Sequence, residues 1–387
     1  MKTTERGTAS KIRAARTFAG VEAMKMLLVV ALFVYAAGLC NAAAQTATAQ
    51  QWEQLVADAQ KEGKVVLLGP PDGQVRTDLP AAFKARYGIT VEYLGTRSAE
   101  SATKLNAERS AGIYSVDVVL AGGETMSGVY YAQKMLAPLK PQLVAPEVVD
   151  PSKWWNGAQW YMDPEQTYVL RVFNTVLPSF HINTDLVKPS EVTSAHALLD
   201  PKWRGKISTN DPYLPGIGLF NASRYYLQFG ADFLRRLYVE QNPVMVRERR
   251  QINDWLARGT YPIALDADDD EVKRMQQEGL PVAAVYALTD MQPILSTGIG
   301  QLGIIDHTPH PAAAKLFVNW LASKEGLSVL ARSRGAVPTR TDIDASQWLA
   351  AEMIPKAGTD YRDMHDWNLA AERQKARDIM VGLLKAR

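Results

Sequence analysis

The chain has 387 residues, 43 lysines and arginines against 41 aspartates and glutamates, and one cysteine. So small a net charge offers no electrostatic footprint for nucleic acid or an anionic membrane surface, and a lone cysteine excludes a disulfide framework and thiolate metal clusters. The length exceeds what one ordinary hydrophobic core supports, so two domains or lobes are expected.

Residues 1–25 carry Lys2, Arg6, Lys11, Arg13, Arg16 and Lys25 against Glu5 and Glu22, and a run of 14 uncharged residues follows from Met26 to Leu39. A basic start, a short apolar stretch and small residues at a cleavage point are the parts of a secretory signal. Ala42-Ala43-Ala44 puts cleavage after Ala44, with Ala49 as a second choice. The apolar run is short of the roughly 20 residues that span a bilayer. Met24-Lys25 already opens a complete signal, which makes Met24 an alternative start to Met1. Cys40 follows Leu39, where lipoprotein processing needs a small residue, so it is expected to leave with the signal. The signal also removes six basic and two acidic residues, so the mature exported chain is expected to start at Gln45 with a net charge of −2.

Beyond Trp52, helical and strand patterns alternate. Trp52, Leu55, Val56 and Ala59 lie at helical spacing before a stop at Gly63, and Lys64–Leu68 is a short β-branched run ending in Gly69-Pro70-Pro71-Asp72-Gly73. A helix through Leu79, Phe83 and Arg86 stops at Gly88, Thr90–Leu94 is the next strand, and Ser98 caps a helix to about Arg109. Val116–Leu120 is a third strand, ending in Ala121-Gly122-Gly123. Such alternation builds a mainly parallel sheet with right-handed crossovers, and ligands gather at the carboxyl ends of its strands.

Residues 138–185 break the rhythm, with Trp154, Trp155, Trp160 and one long β-like stretch, Thr167–Phe173. A second α/β pattern then begins. Lys206–Thr209 is a strand, Asn210–Gly216 a turn-rich loop and Ile217–Phe229 a helix; Pro262–Leu265 is a strand followed by a helix over Asp269–Gln277 and a strand over Val282–Tyr286. Thr289–Gly303 is turn-rich, and Pro311 opens a strong helix to Leu321.

Several segments resemble the type II periplasmic binding proteins of the ferric-iron group (extracellular solute-binding family 1). They are Leu105–Gly112 with Val116–Val119, Leu198-Leu199-Asp200-Pro201-Lys202-Trp203-Arg204-Gly205-Lys206-Ile207, and His310–Phe317 with Trp320–Gly326. The resemblance spans about Trp52 to Pro338. It implies a two-lobed α/β fold, with residues 45–179 and 292–387 in and around one lobe, 180–291 in the other, and a ligand in the cleft that closes by hinge motion. It also implies that the protein captures a small solute in the periplasm for an inner-membrane ABC permease, as a monomer and without a cofactor.

Ferric members of that group use two adjacent tyrosines after the second-lobe strand. Here Asp266-Ala267-Asp268 stands there, so that motif is missing, and Tyr225-Tyr226 falls in a helix where a core role fits better. Counted from Asp266, the sixth and twelfth positions hold Glu271 and Gln277, which defeats an EF-hand reading; Asp268–Asp270 read instead as the capped start of a helix. No metal site is expected.

The remaining candidates point to an anionic or zwitterionic solute. Thr96-Arg97-Ser98 is a strand-to-helix turn where free N–H groups and a guanidinium attract an anion. Asp72, Gly122 and Gly123 lie at the other strand ends, and Asp211, Tyr213, Gly216 and Gly218 form the facing loop, where glycine lets backbone approach a ligand. Asp266 completes the set, and Trp160 and Tyr161 are candidates to cover an apolar part. A ferric-ion or ferric-chelate carrier is the alternative within the group. Outside it stand a secreted enzyme, though no G-x-S-x-G, H-E-x-x-H or phosphate-loop motif is present, and a ligand sensor.

Overall fold

A computed structural model describes residues 49–96, 98–214 and 216–385; the expected signal, Cys40 and Arg97 lie outside the described residues. The chain divides into two compact units, Met1–Asp58 and Ala59–Arg387. Residues 49–58 of the first are helical, and everything below concerns the second.

One sheet begins with β1 (Lys64–Gly69), β2 (Thr90–Gly95) and β3 (Val118–Ala121). Between them run α1 (Gly73–Tyr87) and α2 (Ser98–Ser110). Gly88 ends α1 in the left-handed region at φ 75°, where glycine carries no Cβ penalty. β1 pairs in parallel with β2 and β3. Buried Asp117 joins the layers, accepting from Val66 N at 2.7 Å and His310 N at 2.9 Å.

The sheet is completed by β4 (Leu136–Ala137), β5 (Leu170–Arg171) and a later strand, β13 (Gln301–Ile305), with β13 antiparallel to β3, β4 and β5. The layer is therefore mixed rather than mainly parallel, because the chain re-enters it from the cleft side and needs no crossover helix to run antiparallel. Of the stretch Thr167–Phe173, only Leu170–Arg171 joins the ladder. The backbone changes partner at each step: Arg171 N donates to Trp160 O, Val172 N to Gly300 O and Asn174 N to Val337 O.

The second sheet has the order β11-β7-β10-β8-β9. Its strands are β7 (Phe180–Asn183), β8 (Ile207–Asn210), β9 (Val244–Val246), β10 (Ile263–Ala264) and β11 (Val282–Val285). It carries α3 (Ile217–Arg235), α4 (Arg249–Arg258) and α5 (Asp269–Gln277). Its core gathers Phe180, Trp203, Ile207, Tyr225 and Leu237, so Tyr225 is a core residue, as its helical spacing suggests. Asp268 caps α5 by accepting from Glu271 N.

Between the two lobes lies a small sheet of β6 (Thr175–Leu177), β12 (Ile294–Ser296) and β14 (Arg362–Asp363). The first lobe continues through α6 (Pro311–Ala322) and α7 (Lys324–Arg334). The last helix, α8 (Ala370–Lys385), packs against α3, and Met380 enters the core of the second sheet. A buried ion pair anchors the segment leading to it: Arg171 Nη1 lies 2.6 Å from Asp363 Oδ2. The C-terminal segment thus spans from the small central sheet to the second lobe.

Candidate functional site

Parallel register brings the first-lobe strand ends together. Gly69 pairs with Gly95 and Leu68 with Val119, so the turns after β1, β2 and β3 open on one side of the sheet. A cavity of about 260 Å³ sits there, bounded by Gly69-Pro70-Pro71, Thr96, Gly122 and Tyr130. The turn geometry is held by Thr96 N donating to Gly69 O and by Tyr93 Oη donating to Pro70 O; burial pushes the Tyr93 phenol up, so it stays a neutral donor. Tyr130 Oη donates to Ser101 Oγ at 2.8 Å. The Thr96 hydroxyl is buried with no partner among the described residues. An orphaned hydroxyl at a strand-to-helix turn is available to a bound polar group. Ser98 opens α2 at this turn. Asp72, by contrast, caps α1 by accepting from Gln74 N and Val75 N and lies 3.6 Å from Arg334.

A second cavity, of about 320 Å³, adjoins the first through Gly122 and Thr125. Gly123 and Glu124 bound it on the first lobe, Gly216, Ile217 and Phe220 at the start of α3 on the second, and Ser296 at the central sheet. Met364, His365 and Arg373 from the C-terminal segment close it. Gly123 lies close to two side chains: a Cβ there would stand 2.8 Å from His365 Nδ1 and 3.0 Å from Gln301 Nε2, so one of them would have to shift. His365 Nε2 lies 3.1 Å from Ser296 Oγ. Burial, followed by the charges of Arg171 and Arg373, holds its imidazole down at about 3, so it is neutral at physiological pH. Gln301 is fully buried, and neither end of its carboxamide has a partner among the described residues. The Arg373 guanidinium is held by the carbonyls of Met364 and Asp366.

The facing loop is more structural than its composition suggests. Gly216 has φ 145° and lines the second cavity. Gly218 is buried against the loop itself, where a Cβ would meet Asp211 O at 2.5 Å and Asn210 O at 2.7 Å. Asp211 pairs with Arg247 at 3.3 Å, and Tyr213 packs on the core of the second sheet. Asp266 is buried and its carboxylate is already occupied: it accepts from Thr209 Oγ1 at 2.6 Å, from Asn210 N at 2.7 Å and from Asn221 Nδ2. It lines neither cavity. Trp160 stacks on the Arg171 guanidinium, whose carbon lies 4.0 Å from the ring centre, and Tyr161 is buried; neither reaches the two cavities. Among the described residues, no group of three or more His, Cys, Asp or Glu is placed to hold a metal ion.

Sequence reasoning therefore reached Thr96, Gly122, Gly123 and Gly216 at the cavities but missed Ser296, His365 and Arg373. The last two lie past the final recognisable motif, and nothing in their local spacing marks them.

The profile described as "Bacterial extracellular solute-binding protein" matches residues 78–356. Among solved structures, iron-bound HitA from Pseudomonas aeruginosa is similar at 16% identity and a TM-score of 0.61, covering 83% of this chain and 99% of that one. A Trichodesmium protein (IdiA, FutA) in complex with iron and citrate is similar at 16% identity and 0.62, covering 83% and 99%. AfuA from Actinobacillus pleuropneumoniae, with exogenous fructose-6-phosphate bound, is similar at 18% identity and 0.57, covering 84% and 99%. No curated protein sequence matches the chain. With the profile covering well over half its length and the two-lobed α/β fold in place, the chain belongs to the bacterial extracellular solute-binding protein family, the solute-capturing components of ABC importers.

Proposed function

We propose that the protein captures a small solute bearing an anionic group in the periplasm, closes its lobes around it and presents it to an inner-membrane permease. The observation carrying this reading is the cavity of about 320 Å³ bounded by both lobes, by Gly122–Thr125 on one side and Gly216–Phe220 on the other. The volume lies at the lower end of small-molecule sites. A solute touching both walls favours the closed arrangement by contacts that the open one lacks. In this reading Thr96, Arg97 and Ser98 meet the anion at the turn after β2, while Gly122, Gly123 and Gly216 offer backbone donors. Asp72, Asp211, Tyr213, Gly218 and Asp266 hold the turns and the loop that carry these groups. The lobes are assigned to 45–179 with 292–387 and to 180–291, the signal is cut after Ala44, and the mature protein works as a monomer that carries its solute unchanged.

The test is a thermal-shift screen of organic anions, phosphonates, polyamines and ferric chelates on protein stripped by unfolding and refolding, followed by calorimetric titration. A true solute at about a hundred times its Kd stabilises the native state by about 2.7 kcal/mol. Failure of every class to stabilise it sinks the proposal, and conversion of a bound compound would make the protein an enzyme.

A ferric reading draws its support from two of the similar structures, whose names include iron. Against it, the Tyr225 phenol is buried in the second-lobe core, and that burial pushes it up to about 12. Protein loaded with ferric ion is expected to show no visible phenolate-to-iron band; a band lost in Tyr225→Phe or Tyr226→Phe would restore iron as the cargo.

A further inference from the structure

Two opposite charges line the interlobe cavity, contributed by segments far apart in the chain. Glu124 follows Gly123 at the end of β3, and Arg373 comes from the first turns of α8. Each is close enough to act on the other: Glu124 is foremost among the carboxylates that raise the affinity of Arg373 for its proton against the effect of burial. Neither makes an ion pair with another side chain among the described residues, and the Arg373 hydrogen bonds go to backbone carbonyls.

The other charges nearby are already committed. Asp363 is paired with buried Arg171, and Asp366 accepts from Asn368 N at the turn before α8. His365 faces the same space as a neutral ring turned toward Ser296. Leu177, Ile217, Phe220 and Met364 add apolar surface to the lining. The cavity is therefore lined by one carboxylate, one guanidinium and several apolar side chains. At about 30 Å³ per water, its volume of about 320 Å³ holds a solute of roughly ten heavy atoms.

We propose that this cavity selects a small amino-acid-like zwitterion, its carboxylate held by Arg373 and its ammonium by Glu124, with a short apolar body against Phe220 and Met364. The proposal rests on the reading of this cavity as the solute site, adds a cationic group to the solute and places its carboxylate at Arg373 rather than at the turn after β2. A carboxylate takes two parallel donors from a guanidinium, and an ammonium placed against a carboxylate in a partly dry cavity gains a charge-assisted bond. A solute with only one of the two charges would leave the opposite wall charge desolvated and unpaired. The C-terminal segment then has a role in specificity: it brings Arg373 to a cavity whose remaining polar wall is largely backbone.

The experiment uses the full mature chain, refolded free of bound solute. Each of the common free amino acids is screened singly by thermal shift. The compound with the largest shift is titrated by calorimetry beside its N-acetyl and carboxamide derivatives, against wild type, Glu124→Gln, Arg373→Gln and Arg373→Lys. The expected result is binding of at least one free amino acid, at least tenfold weaker binding of both derivatives, and a loss of about tenfold to a hundredfold in Glu124→Gln and in Arg373→Gln. Arg373→Lys keeps the charge but gives up the paired donors, so it is expected to bind more weakly than wild type and more tightly than Arg373→Gln. Glu124→Gln no longer discriminates against the N-acetyl form, nor Arg373→Gln against the carboxamide. Circular dichroism checks that each variant is folded; if Arg373→Gln is not, Glu124→Gln and Arg373→Lys decide the matter. No binding of any amino acid, or amino-acid binding that neither charge-removing variant weakens, overturns the proposal. So does an anion without an amine that binds wild type and is weakened by Arg373→Gln but not by Glu124→Gln; that result leaves solute capture standing, whereas failure of every class in the wider screen removes both readings.

Discussion

Replacing Asp266 with alanine separates a structural carboxylate from a binding one. The side chain is buried and receives three donors, from Thr209, the backbone of Asn210 and Asn221. They are unequal in what they lose. Thr209 Oγ1 also reaches Asn210 O at 3.2 Å, and Asn221 Nδ2 also reaches Leu265 O at 3.1 Å, so both keep an acceptor when the carboxylate is gone. Among the described residues no second acceptor takes Asn210 N, and a part-buried donor left unmade costs up to about 1–3 kcal/mol. Two weakened bonds at about 0.5–1 kcal/mol each bring the total to about 2–5 kcal/mol. Asp266→Asn keeps one acceptor oxygen and is expected to lose about half as much. Urea unfolding followed by tryptophan fluorescence reads this directly, since Trp203 lies in the same core. At a slope of about 2–3 kcal/mol per molar urea, the alanine variant unfolds roughly 1–2 M earlier. Below its transition its solute affinity should match wild type within about twofold. A variant of unchanged stability with a large loss of affinity would refute the reasoning and return Asp266 to the binding wall.

Gly218→Ala places a Cβ 2.5 Å from Asp211 O and 2.7 Å from Asn210 O; backbone cannot step aside as a side chain can, so a loss of about 1–3 kcal/mol is expected, and a Tm equal to wild type would show that the loop yields freely. His365 binds its proton near 3 in the native state against 6.5 when unfolded. Between those values the unfolded chain takes up a proton that the native chain does not. The contribution is therefore present above pH 6.5 and lost as pH falls toward 3. The acid loss of stability should be shallower in His365→Gln, and identical pH profiles would contradict this. Arg334 of the first lobe lies 3.6 Å from Asp72 and 3.9 Å from Asp270 of the second lobe. Because the pair is exposed, Arg334→Ala should weaken solute binding by no more than about fivefold in dilute buffer. That difference should vanish near 0.5 M salt, where screening removes it; a loss that persists in salt would mean a direct solute contact.

Repetition of helical and strand periods over short windows was enough to read the α/β alternation, the glycine stop at Gly88, the capped start of α5 at Asp268 and the core position of Tyr225. Each depends on neighbours within a few residues, where the chain's own geometry decides the outcome. The same logic located the strand ends that carry Thr96, Gly122 and Gly123, because parallel pairing forces such ends to one side. β13 escaped notice because it lies in a segment dense in turn residues, and its strand character comes from a slot between β3, β4 and β5 that only the assembled sheet offers. Asp266 has the same composition cue as a binding aspartate, yet donors 45 and 57 residues away occupy its carboxylate. The C-terminal segment was the least legible part. Docking of α8 on the second lobe and the Arg171–Asp363 pair bring His365 and Arg373 to the cavity, and such placement is set by long-range burial and charge pairing, which leave no periodic mark in the local sequence.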